Sequence, residues 1–297
     1  MPARHFALLA LVCLIWASNN IVSKFVVTHL GLPPLFYAAV RFGLVALAML
    51  PWLSPMPRPR WRLLAVALLM GGGNFALLFI GLRTATPSAA AIVSQLGVPI
   101  TTLLSMVMLG ERLRWRRGLG IALTIAGVVL VMWDPHGLTI TVGLFYVVAA
   151  SFLGSLGAIM MKQMDGVKPM QFQAWVGFAS FWPLAGLSAV LEPGQIQAGV
   201  SAGWPFLAAV LYSALVVSVA AHTAFYSLIQ RYEANLISPL TLMTPLATIG
   251  LGVAITHDPF GLRMAAGSAV ALAGVLIVAL RPNRVWPLLL AIRNRAQ

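Results

Sequence analysis

Residues 87–109, PSAAAIVSQLGVPITTLLSMVML, followed by residues 110–117, GERLRWRR, decide the class of fold. The first stretch carries no charge and is longer than the roughly 20 helical residues that cross a hydrocarbon core of about 30 Å. The second stretch is a cluster of arginines, and clusters of this kind mark the cytoplasmic ends of membrane helices. This part of the sequence therefore predicts a membrane-spanning helix followed by a cytoplasmic loop.

The composition extends this interpretation to the whole chain. Of its 297 residues, 60% are hydrophobic and 8% are charged, whereas about a quarter of the residues of a typical soluble domain are charged. This balance argues against a soluble enzyme. The formal net charge of +13 is divided among short clusters between apolar runs, a pattern of membrane proteins rather than of a nucleic-acid-binding surface. With Cys13 as the only cysteine, neither an intramolecular disulfide nor a cysteine-rich metal site is possible.

Ten apolar runs are long enough to span the membrane. They cover residues 6–27, 35–53, 63–82, 87–109, 115–133, 139–161, 169–191, 204–229, 236–256 and 262–280. Along an alternating path through these spans, Lys and Arg gather on one side, and the opposite side has Arg83 and Arg263 alone. Because positively charged loops stay in the cytoplasm, both termini are predicted to be cytoplasmic. Lys24 and Arg41 fall within spans, toward the helix ends, where we expect long side chains to reach the membrane interface; direct contact with the substrate is the alternative.

An internal repeat relates the two halves of the chain. When Pro99 is aligned with Pro245, Thr102 meets Thr248, and after one inserted residue Gly120 and Gly127 meet Gly267 and Gly274; these pairs are the core of the match. Each unit has five spans, an odd number, so the second unit must enter the membrane inverted. We therefore expect an all-α integral membrane protein with ten transmembrane helices in two five-helix inverted repeats. The repeats cover residues 1–134 and 135–281, and residues 282–297 form a cytoplasmic basic tail.

A set of short motifs in the first half resembles a known family. The motifs are Trp16-Ala17-Ser18-Asn19 with Lys24 and Arg41, then Ala89-Ala90-Ala91, Pro99 and Gly110-Glu111-Arg112-Leu113 before a glycine-rich span. Together they resemble the EamA-type transporters of the drug/metabolite transporter superfamily, and among these the bacterial exporters of amino acids, including aromatic ones. In the second half Thr256-His257 replaces the Gly-Glu pair. The resemblance implies ten helices, inverted repeats, cytoplasmic termini, a place in the bacterial inner membrane and export of amino acids or related metabolites.

Polar side chains within the spans are the candidates for substrate binding, because lipid tolerates them poorly unless they face a cavity or pair with one another. The candidate residues are Trp16, Asn19, Asn20, Asn74, Gln95, His222, Tyr226 and Thr241. Asparagine amides suit the ammonium and carboxylate groups of a zwitterion, while a histidine beside a tyrosine adds a titratable ring and an aromatic wall. The alternative is that these side chains only form hydrogen bonds between helices. For the asparagines of the first span the two interpretations carry equal weight.

The sequence also bears on mechanism. Pro99 and Pro245 are expected to kink their helices or to free backbone carbonyls toward a pore. The acidic residues all fall in loops or at span ends, which leaves no midplane carboxylate to carry a proton or bind sodium, so we expect facilitated diffusion or exchange.

We expect a monomeric secondary transporter that works by alternating access through a central cavity lined by spans 1, 3, 4, 6, 8 and 9. Its partners are a small-molecule substrate and the lipid bilayer. A drug exporter of the same fold is the alternative. The spans contain no activated Ser/His pair, paired acids or metal-ligand spacing. We therefore expect no enzymatic activity and no catalytic residue, and we expect no bound metal or cofactor.

Overall fold

The computed structural model describes residues 1–110, 114–133, 138–164, 166–232 and 234–280, and this part of the chain is helical without a β-strand. The helices are α1 (Ala3–Thr28), α2 (Pro34–Ala48), α3 (Arg60–Ala67), α4 (Asn74–Leu82), α5 (Pro87–Val93), α6 (Gly97–Leu109), α7 (Trp115–Met132), α8 (Leu138–Lys162), α9 (Pro169–Leu191), α10 (Gln195–Leu211), α11 (His222–Arg231), α12 (Ala234–Leu240), α13 (Met243–Ile255) and α14 (Leu262–Ala279). Two π-helical segments, Leu68–Gly73 and Tyr212–Ala221, join α3 to α4 and α10 to α11. Short 3-10 turns cover Leu50–Trp52 and Ser94–Leu96.

These elements form a multi-pass membrane protein. Within the described ranges, 8 helical stretches have at least 18 residues and are apolar enough to cross a membrane, and α2 and α13 are shorter apolar helices. Each of them overlaps one of the apolar runs of the sequence, and α2 and α13 are shorter than the runs 35–53 and 236–256 in which they lie. Large aliphatic side chains point outward, with Val107 85% and Leu262 88% exposed, as a lipid-facing surface requires. The predicted boundary between residues 134 and 135 and the tail, residues 282–297, lie outside the described residues.

Both spans that carry the aligned prolines are interrupted just before the proline. Pro99 has no N–H to donate to the carbonyl of Gln95, and its ring crowds that carbonyl. The helix accordingly tightens into the 3-10 turn Ser94–Leu96. Ahead of Pro245, the helix breaks at Thr241, between α12 and α13. The expectation that the prolines distort both helices is therefore confirmed.

The first π-helical segment is filled by a serine from a neighbouring helix. The hydroxyl of Ser180 on α9 accepts the N–H of Gly72 at 2.8 Å and donates to the carbonyl of Ala67 at 3.3 Å. A Cβ atom on Gly71 would lie 2.5 Å from the same hydroxyl. The run of glycines at residues 71–73 thus lets α9 approach closely, and the serine supplies hydrogen bonds to backbone that the wide turn leaves exposed.

Helices α7 and α14 pack together through glycines at the positions aligned in the sequence. A Cβ atom on Gly120 would lie 2.8 Å from the carbonyl oxygen of Gly274, and one on Gly127 would lie 2.6 Å from that of Gly267. The contacts are reciprocal. Gly120 meets Gly274, the repeat partner of Gly127, and Gly127 meets Gly267, the repeat partner of Gly120. Close backbone approach of this kind requires small residues at the crossing.

This packing predicts a stability difference between two glycines. Gly127→Ala places a methyl group 2.3 Å from the amide nitrogen of Ala271, and overpacking of this kind costs about 1–3 kcal/mol. Gly250→Ala is the matched control, because its Cβ would meet no atom within 4 Å. Thermal unfolding in detergent should give a lower Tm for Gly127→Ala and an unchanged or higher Tm for Gly250→Ala. Equal Tm values would contradict the close crossing of α7 and α14.

Candidate functional site

Three of the predicted site residues meet in one aromatic cluster between α1 and α11. The ring centroid of Trp16 lies 5.2 Å from that of His222 and 4.7 Å from that of Phe225. Tyr226 follows, 6.4 Å from His222. Nδ1 of His222 donates to the carbonyl of Val217 at 2.7 Å, which ties the imidazole to the second π-helical segment.

The asparagines of α1 serve hydrogen bonds between helices. Oδ1 of the buried Asn19 accepts the hydroxyl of Ser213 at 2.9 Å, and Ser213 in turn pairs with the hydroxyl of Tyr37 at 2.6 Å. Nδ2 of Asn20 points to the hydroxyl of Thr248 at 3.4 Å. These amides thus join α1 to α2, to the π-helical segment and to α13, and their part in substrate binding stays a prediction.

Asn74 lies apart from this group, in the wall of a cavity of about 600 Å³ between α4, α6 and α8. Its Nδ2 donates to the carbonyl of Ala150 at 2.8 Å. The cavity wall is also formed by the hydroxyl-bearing residues Thr101 and Ser151, with the basic residues Arg117 and Lys162. Of the eight predicted residues, Asn74 is the one found in this wall.

Gln95 and Thr241 occupy the two helix breaks. Nε2 of Gln95 points back to the carbonyl of Ala91 at 3.4 Å within its own helix, and Thr241 stands at the turn between α12 and α13. A second cavity, of about 870 Å³, is lined by Arg58, Lys168 and other residues, and it contains none of the eight candidates.

The sequence interpretation favoured a place at the membrane interface for Arg41 over contact with the substrate. Its side chain is 0% exposed and stands at the middle of α2, so the expectation that it reaches the membrane interface is wrong. Nε and Nη2 donate to the hydroxyl of Ser218 at 3.1 and 2.9 Å, and the guanidinium carbon lies 4.4 Å from the ring centre of Phe75. The misleading signal was the apolar run 35–53, because the helix itself ends at Ala48. A cation in the middle of an apolar helix is the feature that identifies this residue.

A second cluster that the sequence interpretation missed joins α5 to the loop after α13. Oδ2 of the buried Asp258 accepts the backbone N–H of Ser88 at 2.8 Å and also its hydroxyl, while Oδ1 accepts the hydroxyl of Thr256 at 2.7 Å. Gly252 makes room, because a Cβ there would lie 2.4 Å from Oδ2. In the sequence this carboxylate falls in a loop, and no neighbouring residue indicates that its hydrogen-bond partner, Ser88, is 170 positions away.

Lys24 lies at the same end of the molecule as the contact between Asp258 and Ser88. Its Nζ donates to the carbonyls of Leu82 and Ala85 at 2.8 and 2.9 Å. A cation on the last carbonyls of α4 and an anion on the first N–H groups of α5 both match the helix dipoles. Lys24 and Asp258 therefore fix the turn between α4 and α5 from both sides.

The other carboxylate within the described ranges has a local structural role. Glu192 accepts the N–H groups of Leu35 and Phe36 at 3.0 and 2.8 Å. These are the first free donors of α2, so Glu192 caps that helix. The hydroxyl of Ser188 adds a third hydrogen bond to the same carboxylate, at 2.9 Å.

Comparisons with known proteins agree with this architecture. A probable amino-acid metabolite efflux pump of Salmonella typhimurium is 28% identical over 93% of this chain and 95% of its own length. One of the same description from Escherichia coli is 28% identical over 86% and 87%. An uncharacterized transporter of Archaeoglobus fulgidus is 21% identical over 93% and 98%.

A solved crystal structure shares the fold, with a TM-score of 0.65 at 18% identity, over 96% of this chain and all of that one. The EamA-like transporter family matches residues 5–133 and 141–280. The resemblance seen in the sequence motifs is thereby confirmed, and the chain belongs to the EamA-like transporter family.

Proposed function

We propose that this protein exports amino acids or related small metabolites across the bacterial inner membrane by alternating access. The observation that carries the proposal is the cavity of about 600 Å³, whose walls bring hydroxyl groups and an amide into an otherwise apolar helix bundle. Its volume lies within the range of about 300–1,000 Å³ that is usual for small-molecule sites. The two relatives named as probable amino-acid metabolite efflux pumps support the class of substrate. The hydroxyl groups and the two basic residues in this wall favour a polar metabolite over a wholly apolar drug.

The proposed mechanism requires two inverted repeats of five helices. Three features support this arrangement: the reciprocal glycine contacts of α7 with α14, the helix breaks before both aligned prolines, and a π-helical segment in each of the corresponding spans. The packing of the helices also follows the repeat. Helix α1 of the first span packs on α13 of the ninth, and α8 of the sixth span packs on α6 of the fourth. Rocking of such repeats against each other is the usual means of alternating access.

The two ends of the bundle differ in a way that supports a direction. With both termini in the cytoplasm, the basic residues Arg117 and Lys162 of the cavity wall lie at the cytoplasmic end. Lys24, Ser88 and Asp258 then lie at the opposite end, where they tie the two repeats together. In this arrangement the cavity is open to the cytoplasm, and the Asp258 cluster acts as the outer gate.

The transport activity is tested in proteoliposomes that contain the purified protein. Each radiolabelled amino acid is offered singly and in competition, beside protein-free vesicles. We expect saturable uptake that Thr101→Trp abolishes, because the indole would fill the cavity that Thr101 lines. Val107→Trp, on the 85% exposed lipid face of the same helix, should leave the rate within about twofold, as isolated exposed positions tolerate substitution.

Absence of transport of every amino acid by folded wild-type protein would contradict the proposed substrate class and direct the search to drugs within the same family. Equal effects of the two tryptophan variants would contradict the assignment of this cavity as the route.

A separate prediction concerns the outer gate. Asp258→Asn removes the negative charge of the carboxylate that accepts two hydrogen bonds from Ser88. Hydrogen bonds to charged groups contribute about 1.5–3 kcal/mol. In a Cys13→Ala background, a cysteine introduced at the buried Ala89 should react about tenfold faster with an impermeant thiol reagent added outside the cell. Glu192→Gln is the control, since Glu192 caps α2 and makes no contact with the gate in the described structure. An unchanged labelling rate in Asp258→Asn would argue against the gate.

A further inference from the structure

Arg41 is a cation in the middle of the bundle without a matching anion in the described structure. It is 0% exposed, and its hydrogen bonds go to one neutral hydroxyl, that of Ser218. Its Nη1 atom is buried, and no described residue provides it with a hydrogen-bond partner. Charged groups inside a membrane protein are costly and occur where they pair or serve a ligand.

The carboxylates that the structure describes are engaged elsewhere. Glu192 caps α2 through Leu35 and Phe36, and Asp258 accepts two hydrogen bonds from Ser88. The face of Phe75, 4.4 Å from the guanidinium carbon, provides a cation–π contact that lowers the cost of burial without neutralising the charge. The charge of Arg41 is therefore available to an anionic group that is not part of the described chain.

Packing alone does not account for an arginine at this position. Arg41 contacts the second π-helical segment through Ser218, whose hydroxyl donates to the carbonyl of Ser213 at 3.0 Å. In the first π-helical segment, the neutral, compact Ser180 of α9 bonds to the backbone directly, without an arginine. A small hydroxyl side chain is thus sufficient to satisfy a π-helical segment in this protein, and the guanidinium adds a charge and five donors in a fork suited to carboxylates.

The site also borders the cavity of the proposed function. Asn74 and Leu78 form part of the cavity wall, and the next residue on α4 after each of them, Phe75 and Phe79, lies against Arg41. Helix α4 thus separates the cavity from the guanidinium. A shift of α4 during alternation would join the cavity to the guanidinium.

We propose that Arg41 binds the carboxylate of the transported molecule, so that this exporter selects substrates with a free carboxylate. The inference rests on the proposed function and adds the group that is recognised. The guanidinium offers Nη1 to the ligand while Nε and Nη2 remain on Ser218. Bonds between a guanidinium and a carboxylate are charge-assisted and are among the strongest in proteins.

The test compares each amino acid that the wild-type protein carries with its own amide, which keeps the ammonium and replaces the carboxylate by a neutral group of similar size. In competition for uptake into proteoliposomes, the amide should be at least about tenfold weaker than the acid. Arg41→Gln should reduce this preference to within about twofold, and Arg41→Lys should retain part of it, because lysine keeps the charge but not the fork. Arg83→Gln, at an exposed loop position, is the matched control and should keep the full preference.

The outcomes separate the two proposals. Transport of no amino acid by wild-type protein would overturn the proposed function and this inference with it. Transport in which wild-type protein accepts amides as well as acids would overturn the role of Arg41 alone, as would folded Arg41→Gln and Arg41→Lys variants that both keep the preference. If Arg41→Gln does not fold, the wild-type amide comparison and Arg41→Lys decide the question. A purely structural Arg41 would lower the Tm of its variants and leave the preference for the acid unchanged.

Discussion

Satisfaction of backbone hydrogen bonds in lipid is the constraint on which the rest of this structure depends. A regular helix meets it alone, but this chain interrupts its helices at prolines and at π-helical segments, and each interruption exposes backbone groups that water cannot reach. Side chains of neighbouring helices compensate. Ser155 donates to the carbonyl of Gly97 beside the first break, and Ser180 bonds to the first π-helical segment. In the second π-helical segment its own Ser218 bonds to the carbonyl of Ser213 and is held by Arg41 of α2. The interruptions therefore fix which helices must be neighbours.

The same constraint explains where charge is placed. Lys24 and Asp258 complete the facing ends of α4 and α5, and Glu192 completes the start of α2, so each charge lies where a helix end presents unpaired groups of opposite polarity. All three are structural contacts, and those of Lys24 and Asp258 also form the proposed outer gate. Arg41 departs from the pattern because it contacts the middle of a helix and its Nη1 has no hydrogen-bond partner among the described residues. This departure is the reason for assigning it a ligand.

Helix breaks and close glycine contacts have different mechanical consequences. The glycine crossing of α7 and α14 brings backbone against backbone, an arrangement that resists sliding because no flexible side chain lies between the helices. The break before Pro99 borders the cavity through Gly97 and Val98, and the second π-helical segment leads into the aromatic cluster at His222. The crossing of α7 and α14 also reaches the cavity wall, through Arg117 and Val278, so rigid helix contacts and interrupted backbone meet at the same cavity.

The sequence by itself determined the membrane class, the apolar spans, the repeat-related glycines and prolines, and the family motifs, because each depends on composition or on spacing along one helix. It also identified Trp16, His222 and Tyr226, whose aromatic contacts arise from single faces of two helices. Only the tertiary structure decided that Asn19 accepts a hydrogen bond from Ser213 and that Asp258 accepts one from Ser88. The same holds for the buried cation–π contact of Arg41 with Phe75. These contacts join residues up to 194 positions apart. Whether a buried polar group is satisfied depends on which helix faces it, and helix packing in the membrane, rather than local sequence, sets that choice.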